Sequence, residues 1–179
     1  MKISWYQKMF SGKPVPDLSA IKAKAEQGDA DAQFSLGFSS GFVAGGKQND
    51  VEAAAWYRRA ADQGHALAQF NLANMYASGQ GVTLDDAEAA RWYRRSADLG
   101  DAGAQFQMGK RCQRRGLDAS KTDAGDAKIE AYKWFNLASA QGYQGSEAHL
   151  ERVNLMLTRE EFDEGQRRAA SFVVQGKAD

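Results

Sequence analysis

Any chemistry in this 179-residue chain has to start from two histidines, one cysteine and a few clusters of like charge. His65 and His149 lie far apart, and neither sits in a metal-ligand pair spacing. Cys112 falls on the apolar face of a helical pattern, which suits a small buried hydrophobe better than a thiolate nucleophile. The carboxylate pairs Asp85–Asp86 and Glu160–Glu161 stand in the first turns of helical segments, where negative charge complements the helix dipole and needs no acid–base role. The glycine-rich GFVAGG at 41–46 lacks the lysine and serine or threonine that complete a phosphate-binding loop, so it reads as a flexible inter-helix turn. No serine elbow occurs. The expectation is no catalytic residue, no metal and no cofactor.

Charge is what remains. Lys110, Arg111, Arg114 and Arg115 form one local cluster, and arginine pairs recur at Arg58–Arg59 and Arg94–Arg95 in WYRRAADQG and WYRRSADLG. The whole chain is balanced, with 23 Lys and Arg against 23 Asp and Glu, so no overall field draws it to nucleic acid or to an anionic membrane. A single cysteine rules out an internal disulfide and fits a reducing compartment. With no apolar run of signal-peptide or membrane-spanning length, the expected location is the cytoplasm, or the periplasm if a signal peptide has been removed.

The elements that must position these charges repeat. Trp56, Trp92 and Trp134 head matching segments, as do Gln33, Gln69 and Gln105; Gly28, Gly64, Gly100 and Gly142 fall at spacings of 36, 36 and 42. Periods of this size mean stacked supersecondary units. Within a unit, Ala53, Trp56, Tyr57, Ala60 and Ala61 recur at helical spacing, and so do Ala68, Leu72, Ala73 and Tyr76. Each unit therefore reads as two antiparallel helices. Gly81 turns the loop between them, Asp85 or Asp86 caps the second helix, and the recurring glycine ends it. The units divide as 29–64, 65–100 and 101–142, the third carrying its six extra residues in a long loop at 115–127. They are preceded at 1–28 by an arm and a capping helix from Asp17 to Gln27, and followed at 143–179 by a partial repeat and a final capping helix. The final helix opens on a capping box, Thr158 and Glu161, and points Phe162, Ala169, Phe172 and Val173 inward. Ile3, Tyr6 and Met9 or Phe10 in the arm either seal the first layer or meet a partner.

From Ala68 to Gly100 the residues follow A-x-x-x-L-G/A-x-x-Y-x-x-G-x-G-V-x-x-D-x-x-x-A-x-x-W-Y-x-x-A/S-A-x-x-G almost throughout. That pattern resembles the Sel-one-like repeat (SLR) family, relatives of the tetratricopeptide repeat, and the resemblance runs from about Ala20 onward. The first and third units depart from it, with Ser40 and Cys112 where tyrosine is usual. The resemblance implies an all-α fold, a right-handed α-solenoid of antiparallel helix pairs whose first helices line a concave groove. It also implies a bacterial, non-enzymatic protein-interaction module: an assembly adaptor, a regulator or a neutraliser of a toxic effector. Some relatives are connected with peptidoglycan, so a cell-wall-fragment or small-ligand binder or enzyme is the alternative.

In the register of Leu36, Leu72, Met108 and Leu150, the groove-facing positions are Asp31, Phe34 and Phe38, then Leu67, Phe70 and Asn74, then Phe106, Lys110, Gln113 and Arg114, and last Arg152. Such a groove, aromatic at its start and basic at its end, suits a peptide or protein segment offering apolar and then acidic side chains. Phe34, Phe70 and Phe106 share one position in three units, so packing between layers is their competing role. Arg58 and Arg94 each have an aspartate four residues on, Asp62 and Asp98, and are expected on the outer face.

Overall fold

The computed structural model describes residues 18–43, 47–118 and 121–175. Among them are helices and no strands: α1 (Leu18–Glu26), α2 (Ala30–Val43), α3 (Lys47–Asp62), α4 (Ala66–Ser78), α5 (Asp86–Asp98), α6 (Ala102–Asp118), α7 (Lys121–Ala140), α8 (Ser146–Asn154) and α9 (Arg159–Ala170). Each of α1 to α7 packs on the next in sequence, and α9 packs on α7. The result is an all-α solenoid in which α2–α3, α4–α5 and α6–α7 are successive layers.

The turns between layers are set locally. At the end of α3, Gly64 N donates to Ala61 O at 3.0 Å and His65 N donates to Ala60 O at 3.1 Å. This is the double bond of a left-handed C-cap, and Gly64 has φ +86° with open space around it. The demand is thus conformational rather than steric. Gly81 differs: a Cβ there would collide with the Asp50 carbonyl of α3, so the α4–α5 loop lies directly on the previous layer. Asp85 caps α5 by accepting from Ala87 N and Glu88 N, both at 2.9 Å. Thr158 and Glu161 form the capping box of α9.

Small residues let the helices approach. Ala53, Ala60, Ala68, Ala73, Ala89, Ala97, Ala104 and Ala131 are fully buried, with Leu72, Trp134 and Phe135 filling the spaces between them. A buried glutamine repeats through the array. Gln33, Gln69 and Gln105 each donate from Nε2 to a carbonyl eight residues earlier, those of Ala25, Ala61 and Ala97. One side chain per layer thereby ties a first helix to the second helix before it.

Several expectations are corrected. The loop expected at 41–50 is corrected at both ends, since α2 continues to Val43 and α3 begins at Lys47; 44–46 lie outside the described residues. Gly41 sits within α2, where a Cβ would meet Ala53 Cβ at an ordinary contact distance of 3.7 Å, so the glycine marks no turn. The six extra residues of the third unit lengthen helices rather than a loop, since α6 runs to Asp118 and α7 starts at Lys121. The inward stripe of the last helix is shorter than expected. α9 ends at Ala170; Phe172 lies beyond it, edge-on to Trp134, and Val173 is exposed. Beyond that, Gln175 N donates to Asp98 O at 2.9 Å, carrying the tail back to the end of α5. Asp17, Ile3, Tyr6, Met9 and Phe10 fall outside the described residues.

Arg58 is the remaining correction. Its guanidinium turns away from Asp62 toward the next layer, donating to Tyr76 Oη and lying 5.2 Å from the Trp92 ring centroid. Arg94 does pair with Asp98, at 3.1 Å, and also lies 5.2 Å from the Trp134 ring centroid. The recurring arginine is thus a cation laid over the next unit's tryptophan, an interlayer contact.

Candidate interaction groove

α6 presents Gln107, Lys110, Arg111, Arg114 and Leu117 along one face, at helical spacing. Opposite stand Ala77 of α4 with Asp86 and Tyr93 of α5 on one side, and His149, Arg152 and Met156 of α8 and its exit on the other. Together they enclose a cavity of about 540 Å³. A second cavity of about 470 Å³ shares Ala77 and Tyr93 with it and extends over Gly41, Asp50, Tyr57, Asn71, Asn74 and Gln80. The two adjoin at Ala77 and Tyr93 as one groove, amide-rich with the single carboxylate of Asp50 over α2–α4 and cationic over α6–α8.

The cations in the basic half are not equivalent. Arg111 grips Asp86 with two hydrogen bonds, 2.8 Å from Nη1 and 2.6 Å from Nη2, and Arg114 approaches the same carboxylate at 3.8 Å. The Arg111 guanidinium holds the Asp86 carboxyl below its ordinary range. Lys110 instead lies 5.7 Å from the Phe106 ring centroid. Neither Lys110 nor Arg152 has a carboxylate within 4.0 Å among the described residues. His149 sits between them. Its Nδ1 is 3.2 Å from Gln113 Oε1, the contact that an Nδ1–H tautomer makes. Its ring stacks on Phe135 and meets Phe106 edge-on. Burial, reinforced by Arg152 and then Lys110, holds the imidazole below its ordinary pKa.

Of the positions the sequence points to, Lys110, Gln113, Arg114 and Arg152 line the basic cavity and Asn74 lines the amide-rich one. The three equivalent phenylalanines pack between layers: Phe34 against Tyr57 and stacked on His65, Phe70 against Tyr93, Phe106 against Phe135 and Tyr143. Phe38 is half-buried beside Phe34, and Leu67 is exposed. Asp31 lies 3.3 Å from His65 Nε2. Asp31, Phe34, Phe38, Leu67, Phe70 and Phe106 line neither cavity. The sequence reading placed Arg111 in the basic cluster but not among the groove positions, and it gave Asp86 and His149 no place in the groove. A signal for the last was present, because His149 follows Gln113 by one 36-residue period, which places them on facing turns of successive first helices.

Arg111–Asp86 is a closed ion pair. Burial pushes the Cys112 thiol up to about 11. Among the described residues no group of three or more His, Cys, Asp or Glu could hold a metal ion, and no helix is long and apolar enough to cross a membrane.

The array is similar to two solved structures. One is a protective antigen present in uropathogenic Escherichia coli strains and displaying an SLR fold, with a TM-score of 0.75 and 28% identity over 94% of this chain. This chain spans 36% of that protein's length. The other is a Sel1 repeat protein from Oxalobacter formigenes, with a TM-score of 0.64 and 34% identity over 77% of this chain and 99% of that one. No curated protein matches. The Sel1 repeat model matches three times in succession, at 30–65, 66–101 and 102–143, covering the layers from α2 to α7, and the chain belongs to the Sel1 repeat family.

Proposed function

We propose that this chain is a non-enzymatic protein-interaction module that holds a peptide or protein segment in the groove across α4, α6 and α8. The observation that carries the reading is the uneven state of the basic half. Arg111 is committed to Asp86, whereas Lys110 and Arg152 face the cavity without a carboxylate among the described residues. Cations left in this way cost little in water and gain from an incoming anion. A cavity of this size, open along one side and continuous with an amide-rich half, accepts an extended segment.

The test is geometric. A photo-crosslinking amino acid is placed at Gln107 inside the cavity, and in a second variant at Arg91, on the exposed side of α5. A protein partner that crosslinks from 107 and not from 91 supports the groove. Crosslinks from 91 alone, or equally from both, would move the working surface to the other face.

A further inference from the structure

We propose that the cationic end of the groove, between Lys110 on α6 and Arg152 on α8, is the seat of a carboxylate from an acidic segment of the partner, and that seating it draws a proton onto His149. This rests on the interaction reading above and adds the chemistry of the partner and the way pH tunes its capture.

The geometry begins with who faces His149. From α6 come Lys110, Gln113 and, lining the same cavity, Arg114; from α8 itself comes Arg152; across the cavity stand Arg111 and Asp86, already joined; α7 offers only the uncharged ring of Phe135. The groups closest in charge to the imidazole are thus cations. A positive imidazole is disfavoured in the free protein, first by burial and then by Arg152 and Lys110. A carboxylate placed between Lys110 and Arg152 offsets both cations. It also gives the second imidazole nitrogen, the one not bonded to Gln113, an acceptor toward which a proton can point. The bound state therefore favours the imidazolium that the free state disfavours.

The sign follows. The imidazole pKa is low in the free protein and higher in the complex, so binding takes up a proton between those two values. Affinity tightens as pH falls through the complex's value and levels off below the free protein's value. Asp86 sets the selectivity of the seat. By holding Arg111 and partly Arg114, it leaves room for one strong carboxylate rather than a run of them.

The full chain is titrated with two fluorescein-labelled nonapeptides, one carrying a single glutamate among leucine and serine, the other carrying glutamine in its place. Titrations run at low ionic strength from pH 5.5 to 8.0, above the range where the peptide's own glutamate titrates. The glutamate peptide is expected to bind about tenfold more tightly than its glutamine counterpart, and Lys110→Gln with Arg152→Gln to erase that difference. Its affinity should rise severalfold from pH 8.0 to pH 5.5, and His149→Gln should flatten that dependence. The His149 ring resonances, with His65 as the internal reference, should titrate at higher pH when the peptide is bound. Equal affinity for the two peptides, or no binding of either, overturns the carboxylate seat. A glutamate preference that does not change with pH, with an unmoved His149 titration, overturns the proton linkage. Either result leaves the crosslinking test of the groove standing on its own.

Discussion

Gln141, at the end of α7, donates its Nε2 hydrogen to Gln105 Oε1 at 2.9 Å, completing the side chain that ties α6 to the Ala97 carbonyl. Gln63 completes Gln33 in the same way at 2.8 Å. In the middle unit the corresponding residue is Leu99, and Gln69 Oε1 is buried with no partner. A buried acceptor left unmade costs on the order of 1–3 kcal/mol. Leu99→Gln is therefore expected to stabilise the chain by about 1 kcal/mol, once the loss of a half-buried leucine is set against it, and Gln141→Leu to destabilise it by about 1–2 kcal/mol. Urea unfolding of the two variants measures both; a Leu99→Gln variant less stable than the parent would show that the leucine's packing matters more than the missing bond.

Gly109 lies under the ring of Phe135, where an added Cβ would sit 2.6 Å from the ring edge. Alanine favours a helix over glycine by about 1 kcal/mol. Phe135 is fully buried and has nowhere to move, so the overpacking penalty of about 1–3 kcal/mol should win. Gly109→Ala is expected to lower the midpoint of thermal unfolding. A rise would mean that α6 and α7 separate readily.

Arg58 and Arg94 each lie over the tryptophan of the next layer. Arg58→Gln and Arg94→Gln should each cost about 0.5–1 kcal/mol of stability through the lost cation–ring contact. Crosslinking from position 107 should be untouched by either. Loss of partner capture with stability unchanged would place the working surface on the arginine face.

Asp86 competes for the cations a partner would use. Asp86→Asn releases Arg111 and Arg114 into the cavity and is expected to tighten binding of the glutamate peptide by roughly three- to tenfold, at some cost in fold stability. Its depressed pKa gives the same sign by another route: the Asp86–Arg111 contact stabilises the fold above the ordinary carboxylate range and loses that contribution as pH falls through the depressed value. Weaker binding by Asp86→Asn would show that the aspartate shapes the seat rather than occupying part of it.

Cys112 is buried between α6 and α7, with its thiol pushed up to about 11. At pH 8 it should not react with a disulfide reagent such as DTNB until the protein is unfolded. Rapid labelling of the native chain would mean that this layer opens readily.

The layers were legible in the sequence because their rules are local. Asp85, Thr158 with Glu161, and the glycine after each second helix act within four or five residues, and the tryptophan and glutamine rows repeat the same contact. The connections at 41–50 and 115–127 misled because glycine has two uses. Gly41 stands inside a helix, as Gly109 does beneath the Phe135 ring, and no short window separates such a glycine from a turn. The basic half of the groove was found from α6 alone. Its partners Asp86 and His149 were missed because they face α6 only when successive layers are stacked, and Arg58 turned to the next unit's rings where only Asp62 was visible from the chain.

The tail beyond α9 has a consequence for how the array comes apart. Repeat arrays couple each unit only to its neighbours and can fray from either end. Here Phe172 rests on Trp134 of α7, Val174 lies beside Gly100, and Gln175 N holds the Asp98 carbonyl at the end of α5. The chain thus loops back across a layer and ties the segment after α9 to α7 and to the end of α5, so α5 to α9 are expected to open as one cooperative block. At the boundary of that block with α4 the glutamine tie is missing, because Leu99 leaves Gln69 Oε1 of α4 without its bond. Amide exchange should therefore divide the protein there, with α1 to α3 opening at low free energy and α5 to α9 exchanging together only in global unfolding.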